Sequence, residues 1–287
     1  MFKTFEMELA GRPLIIETGK MAKQANGAVL VRYGDTAVLV ATTASKEPRE
    51  GTDFFPLTVD YEEKMYAVGK MPGGFLRREG RPGNSAILCA RLIDRPIRPL
   101  FDKRCRNDIH VVATVLSVDY DNAPELCGMI GASASIGISD IPWDGPIAGV
   151  RVGRVDGKYV INPTQEEMAA STMNVTVASS EEAIMMVEGG AQEAPEEEVL
   201  DAIMFGHETI KEICRFQKKI IEGVGKEKRV LTFPEVPAEI EKDVEAFATE
   251  SLKKAIFDAD KLRRDGNIAA AKKEAMAHFA DIYPERL

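Results

Sequence analysis

Apolar and polar residues alternate at the start of the chain. Phe5, Met7 and Leu9 are separated by Glu6 and Glu8, and the apolar run Leu14-Ile15-Ile16 returns after Ala10-Gly11-Arg12. That pattern predicts a β-hairpin. Two β-branched runs, 27–33 and 36–43, joined by Gly34-Asp35, predict a second hairpin, and residues 54–61 a further strand. Residues 67–83 hold five glycines and two prolines and predict a loop. Asn84 or Ser85 is placed to cap a short helix that ends before Pro96. The nearly unbroken apolar stretch 109–118 predicts a strand buried on both faces. The small residues of 123–139 predict a tightly packed helix. Asp156-Gly157 turns 148–152 into 158–161, and 175–179 and 183–187 predict the last strands.

After Gly189-Gly190 the period changes. Val199, Ile203, Ile210, Ile213 and Ile220 recur at helical multiples. Gly223, Gly225, Pro234 and Pro237 then interrupt the pattern before two more helices, near 238–260 and 266–280. A domain boundary is expected near residue 225, with an α+β domain over 1–225 and an all-α segment over 226–287. The helical segment stops at Pro284-Glu285-Arg286-Leu287 with apolar faces unmatched, which predicts a fragment of a longer protein.

The 287 residues are 45% apolar and 29% charged, the composition of a globular chain. No apolar run approaches the roughly 18–20 residues of a membrane span. The start lacks the apolar core of a signal peptide, and Glu6 and Glu8 argue against a transit peptide. Cys89, Cys105, Cys127 and Cys214 are scattered, without a C-x-x-C pair or a neighbouring His. These features exclude a disulfide framework and a zinc site and predict a reduced, cytoplasmic protein.

Charge changes the picture more. The net charge is -9, yet residues 64–106 carry eleven Lys and Arg against only Glu79, Asp94 and Asp102. A basic band in an acidic body attracts a polyanion to one place and repels it elsewhere. Eight of the eleven cations are Arg, the side chain whose planar fork matches phosphate. Within the band, Met71 to Arg81 sets Phe75 and Leu76 beside Arg77, Arg78 and Arg81 in a glycine-rich loop. Flat apolar groups for base stacking and cations for the backbone are what single-stranded nucleic acid requires. A purely structural loop would instead tuck Phe75 into the core.

Along the following helix, Arg91 and Arg95 fall on the arc of Ile87, Leu88 and Leu92. Arginine on an apolar face needs a partner. A buried carboxylate such as Asp53, Asp60 or Asp94 would serve, and so would an anion pocket. Arg98, beyond Pro96, is expected on a turn. Only His110, His207 and His278 are present, widely spread, and neither a G-x-x-x-x-G-K-[ST] nor a G-x-G-x-x-G loop occurs. Glu166-Glu167 and Glu181-Glu182 read as solvated surface pairs, so neither a catalytic residue nor a metal ligand is assigned within this chain.

The stretches Phe54-Phe55-Pro56-Leu57-Thr58-Val59-Asp60-Tyr61, Phe75 to Pro82 and Ala90 to Phe101 resemble those of polynucleotide phosphorylases (polyribonucleotide nucleotidyltransferases). Glu17-Thr18-Gly19, Met129-Ile130-Gly131-Ala132-Ser133-Ala134 and Asn162-Pro163-Thr164 support the likeness. It covers 1–225 closely and the helical segment loosely.

The resemblance implies a 3′-to-5′ phosphorolytic exoribonuclease that degrades single-stranded RNA to nucleoside diphosphates. Its co-substrate would be inorganic phosphate and its cofactor Mg²⁺. The fold it implies is a ribonuclease-PH-like domain (the βαβ fold of ribosomal protein S5 domain 2), then a helical linker, apparently truncated here. Partners would be two further copies in a trimeric ring and possible RNA-degradation companions, an endoribonuclease and a helicase. Phe75, Arg77, Arg78 and Arg81 fall on the family's RNA-gripping channel loop, with Leu76 where many members carry a second Phe. Arg91, Arg95 and Arg98 match its arginine segment and are candidates for phosphate contact. The resemblance puts the catalytic site and its metal in a second domain copy, and Met173-Asn174-Val175 lacks the paired aspartates of ribonuclease PH. Two other readings stay open: a non-catalytic RNA-binding ring or scaffold subunit, and a one-domain phosphorolytic enzyme.

Overall fold

A computed structural model describes residues 2–49, 51–231, 233 and 236–284. The chain divides into two compact units, Met1–Leu231 and Thr232–Leu287. The expected break at Pro234 and the end Glu285-Arg286-Leu287 lie outside the described residues.

The first unit opens with strands β1 (Lys3–Leu9), β2 (Arg12–Thr18), β3 (Gly27–Tyr33), β4 (Thr36–Pro48) and β5 (Leu57–Glu63). Helix α1 (Asn84–Ile97) precedes β6 (Asn107–Ser117), and the six strands form one sheet in the order β1-β2-β3-β4-β6-β5. Only β5 runs parallel to its neighbour. The hairpins follow from their turns: Ala10 and Gly11 both take positive φ, at 48° and 73°, letting Leu9 pair directly with Arg12.

Helix α2 (Pro124–Ile138) comes next, followed by β7 (Ala148–Val155), β8 (Lys158–Ile161), the short helix α3 (Gln165–Ala170), β9 (Met173–Ser179) and β10 (Ile184–Ala191). The four strands form a second sheet, β10-β9-β7-β8. The long helix α4 (Glu196–Val224) ends the unit's regular structure.

Helix α2 lies between the sheets, and thirteen of its fifteen residues are buried. Its small residues make this possible. A Cβ on Gly131 would sit 2.5 Å from Val40 Cγ2 in the first sheet, while Met129 reaches Gly149 in the second. Helix α4 covers the other face of the second sheet, with Gly206 against Val150, Val152 and Val177. Val150 and Val177 are register partners, so Gly149 and Val150 point to opposite sides.

Two sequence expectations need correction. Strand β6 is not buried on both faces: Asn107, Ile109, Val111, Ala113 and Val115 are buried, whereas Asp108 and His110 are exposed and Val112 and Thr114 half-exposed. Helices α1 and α2 cover one face of this sheet, and no described helix covers the other. Helix α1 does not stop before Pro96, and its N-cap is Gly83 without a side-chain cap bond. Pro96 forfeits one hydrogen bond in the last turn, and burial of Pro96 and Ile97 outweighs that loss.

The second unit pairs α5 (Ala238–Ile256) with α6 (Lys261–Ala280). The Asp260 carboxylate accepts from Arg263 N at 2.8 Å and caps α6. Phe247, His278, Phe279 and Tyr283 form its aromatic cluster, with His278 stacked 4.2 Å from Phe247.

Candidate nucleic-acid interface

The glycine-rich loop rises from the junction of β5 and α1. A single 3₁₀ turn, Met65–Val68, closes on Gly69 at φ 68°, and Val118 N donates to Ala67 O at 3.2 Å, fixing the loop's near end. Beyond it, Gly74 and Arg77 both take positive φ, 77° and 46°. These two reversals flank Phe75 and Leu76 and turn them outward. Phe75 is fully exposed and Leu76 is 78% exposed, so the alternative of a tucked-in aromatic fails. Exposed apolar side chains beside cations are what a base-stacking platform requires.

Arg77, Arg78 and Arg81 are exposed and make no hydrogen bond or ion pair among the described residues. Glu79 is the loop's internal clasp, its Oε1 accepting from Met65 N at 3.3 Å. Backbone N–H groups, its own and that of Met65, hold its carboxyl below the usual range. Sequence reasoning gave Glu79 no role, because a lone Glu among arginines carries no signal of which backbone group it meets.

The two arginines of α1 and Arg98, just past its end, separate into different environments. Ile87 and Leu88 are 48% and 64% exposed, so the arc that Arg91 and Arg95 share with them faces solvent. Of that arc only Leu92 is buried, with Ala86, Ile93, Pro96 and Ile97, while Arg91 and Arg95 are exposed, so neither arginine needs a buried counter-ion. Arg91 has no partner among the described residues and lines a groove of about 310 Å³ with Asp60, Asp94 and Arg98. Arg95 pairs with Glu188 of β10. Arg98 is committed to the fold: Asp94 accepts from its Nε and Nη2 at 2.9 and 2.7 Å, the Leu57 carbonyl from Nη2 at 3.0 Å and the Phe55 carbonyl from Nη1 at 3.3 Å. Its guanidinium also lies 5.8 Å over the Phe55 ring.

The other reactive types are quiet. All four cysteines are free, and burial pushes the Cys89, Cys127 and Cys214 thiols up to about 12, the opposite of nucleophile activation. His110 Nε2 lies 2.7 Å from Asp60 Oδ2 on the exposed sheet face, and His207 Nδ1 lies 2.8 Å from Ser179 Oγ in the core.

The model of the 3′ exoribonuclease family, domain 1, matches residues 10–142, and that of domain 2 matches 145–209. Together they cover most of the first compact unit. The chain belongs to the 3′ exoribonuclease family. It is 56% identical over 283 residues to a polyribonucleotide nucleotidyltransferase of Heliobacterium modesticaldum, covering 99% of this chain and 40% of that protein. It is 57% identical to that of Syntrophomonas wolfei over the same shares, and 51% identical over all 287 residues to that of Alkaliphilus oremlandii. The chain therefore spans about 40% of the length of these relatives. Among solved structures, rice Rrp46 superposes with a TM-score of 0.57 at 15% identity, over 77% of this chain and 94% of that one. That likeness confirms the family's ribonuclease-PH-like fold.

Proposed function

We propose that this chain is the RNA-guiding part of a 3′-to-5′ phosphorolytic exoribonuclease that degrades single-stranded RNA to nucleoside diphosphates. The observation that carries the reading is the loop at 71–83, where two exposed apolar side chains stand beside three arginines without a partner among the described residues. Such a surface accepts any base by stacking and any backbone by charge. On this reading 1–225 is a first ribonuclease-PH-like domain and 226–287 a helical linker. The working enzyme is a cytoplasmic homotrimeric ring, associated with an endoribonuclease and a helicase in RNA decay. No helix of the described residues is long and apolar enough to cross a membrane.

Phosphorolysis is the attack of phosphate on a phosphodiester, driven by positioning and charge neutralisation rather than by a covalent nucleophile. Inorganic phosphate is the co-substrate, and Mg²⁺ supplies charge neutralisation at the reacting phosphoryl group. Among the described residues no group of three or more His, Cys, Asp or Glu side chains could hold a metal ion. The reading assigns that ion to a second copy of the domain. The residues here bind and steer: Phe75 and Leu76 stack on bases, Arg77, Arg78 and Arg81 grip the backbone, and Arg91 meets a phosphate farther along.

The R77A/R78A/R81A triple variant should weaken binding of single-stranded oligo(A) and flatten its salt dependence by about 0.7 in log–log slope per lost contact. Fluorescence anisotropy at several salt concentrations measures it, and an unchanged slope removes the loop from the interface. The chain alone should bind RNA and release no ADP in the presence of phosphate and Mg²⁺. Phosphate-dependent ADP release would place a complete active site within it.

A further inference from the structure

Beneath the loop lies a cleft of about 590 Å³, bounded by the end of β5, the loop's return and the start of α1. Its volume suits a single nucleotide rather than a strand. The charges lining it are not equivalent. Lys64 is neutralised by Glu62 at 2.7 Å, and Glu79 is held by Met65 N, which leaves Arg78, Arg81 and Glu63 unpaired among the described residues. Met65 and Pro82 supply apolar wall. At the same end, α1 has Gly83 as its N-cap and no side-chain cap, so its first-turn N–H groups remain open to an anion. The cleft floor includes Tyr61, which is 2% exposed and whose hydroxyl has no hydrogen-bond partner among the described residues.

We infer that this cleft is a nucleotide pocket, taking a phosphate on Arg78 and Arg81 and a base amino group on Glu63. An anion alone would leave Glu63 as a repulsive neighbour, and an apolar ligand would leave all three charges unanswered. A nucleotide offers both ends. A carboxylate accepts from the exocyclic amines of adenine, cytosine and guanine, whereas uracil flanks its one N–H with two carbonyl oxygens that face the carboxylate unfavourably. The pocket should therefore prefer amino-bearing bases to uracil. The nucleotide can be free or one unit of a bound strand. Only the second source rests on the proposed RNA-guiding role of the loop above.

The test compares AMP with UMP by calorimetric titration, and short oligo(A) with oligo(U) by anisotropy, on the wild-type chain and on E63Q. Glu63 is exposed, so the substitution leaves the core intact. AMP should bind about fivefold or more tighter than UMP, with E63Q erasing the difference. If only the oligonucleotides show a Glu63-dependent preference for A, the pocket takes a unit of the strand. Equal binding of A and U in both formats, or a preference for A that survives in E63Q, overturns the pocket. Loss of oligonucleotide binding with an intact, Glu63-dependent AMP preference would overturn the RNA-guiding role and keep the pocket.

Discussion

Arg98 and Arg91 lie seven residues apart, about two helical turns, and differ in everything that surrounds them. Arg98 gives its fork to Asp94 and to the carbonyls of Phe55 and Leu57, whereas Arg91 faces a groove and has no partner among the described residues. R98A should therefore cost about 1–2 kcal/mol of stability, the value of hydrogen bonds to a charged group discounted because the side chain is 40% exposed. It should leave the salt slope of RNA binding unchanged. R91A should do the reverse, and urea unfolding beside anisotropy separates the two. A lower slope in R98A would mean that its guanidinium leaves Asp94 to meet phosphate.

At the scale of elements, the small residues of α2 decide how closely two sheets approach. G131A adds a methyl 2.5 Å from Val40 Cγ2 and 3.0 Å from Val31 Cγ2, so overpacking should cost about 1–3 kcal/mol. An unshifted thermal midpoint would mean that the sheets can part. The buried helix was legible in the sequence because its small-residue run has no polar face. The hairpins were legible because Ala10-Gly11, Gly34-Asp35 and Asp156-Gly157 are turn chemistry.

What the sequence could not convey is which side of an element meets water. Ile87 and Leu88 read as core on α1, yet they lie on its exposed arc, since the burial of α1 is set by β5 and α2 rather than by its own periodicity. Strand β6 read as doubly buried because Val112 and Thr114 are apolar or β-branched, whereas packing covers only the other face. That the loop holds Phe75 and Leu76 in solvent was legible from its Gly, Phe and Arg content alone. The cleft beneath it was not, because it depends on which of Glu62, Glu63 and Glu79 already has a partner.

For the whole molecule, the same accounting of partners governs response to acid. His207 of α4 is buried and shares a hydrogen bond with Ser179 of β9, and desolvation lowers its pKa below the ordinary 6.5. The unfolded chain then binds a proton at a pH where the folded chain does not, so stability falls as pH drops below about 6.5. Asp140 acts later. Its hydrogen bond to Arg229 holds it at about 2, so its contribution is complete above 3.8 and is lost as pH falls toward 2. Two stages of acid destabilisation should follow, the first from His207 and the second from Asp140. H207N keeps an acceptor near Nδ1 and cannot take up the proton, so it should flatten the dependence of the urea midpoint between pH 7.5 and 5 while leaving the low-pH limb in place. A midpoint that falls as steeply in H207N as in the wild type would assign the first stage to another group.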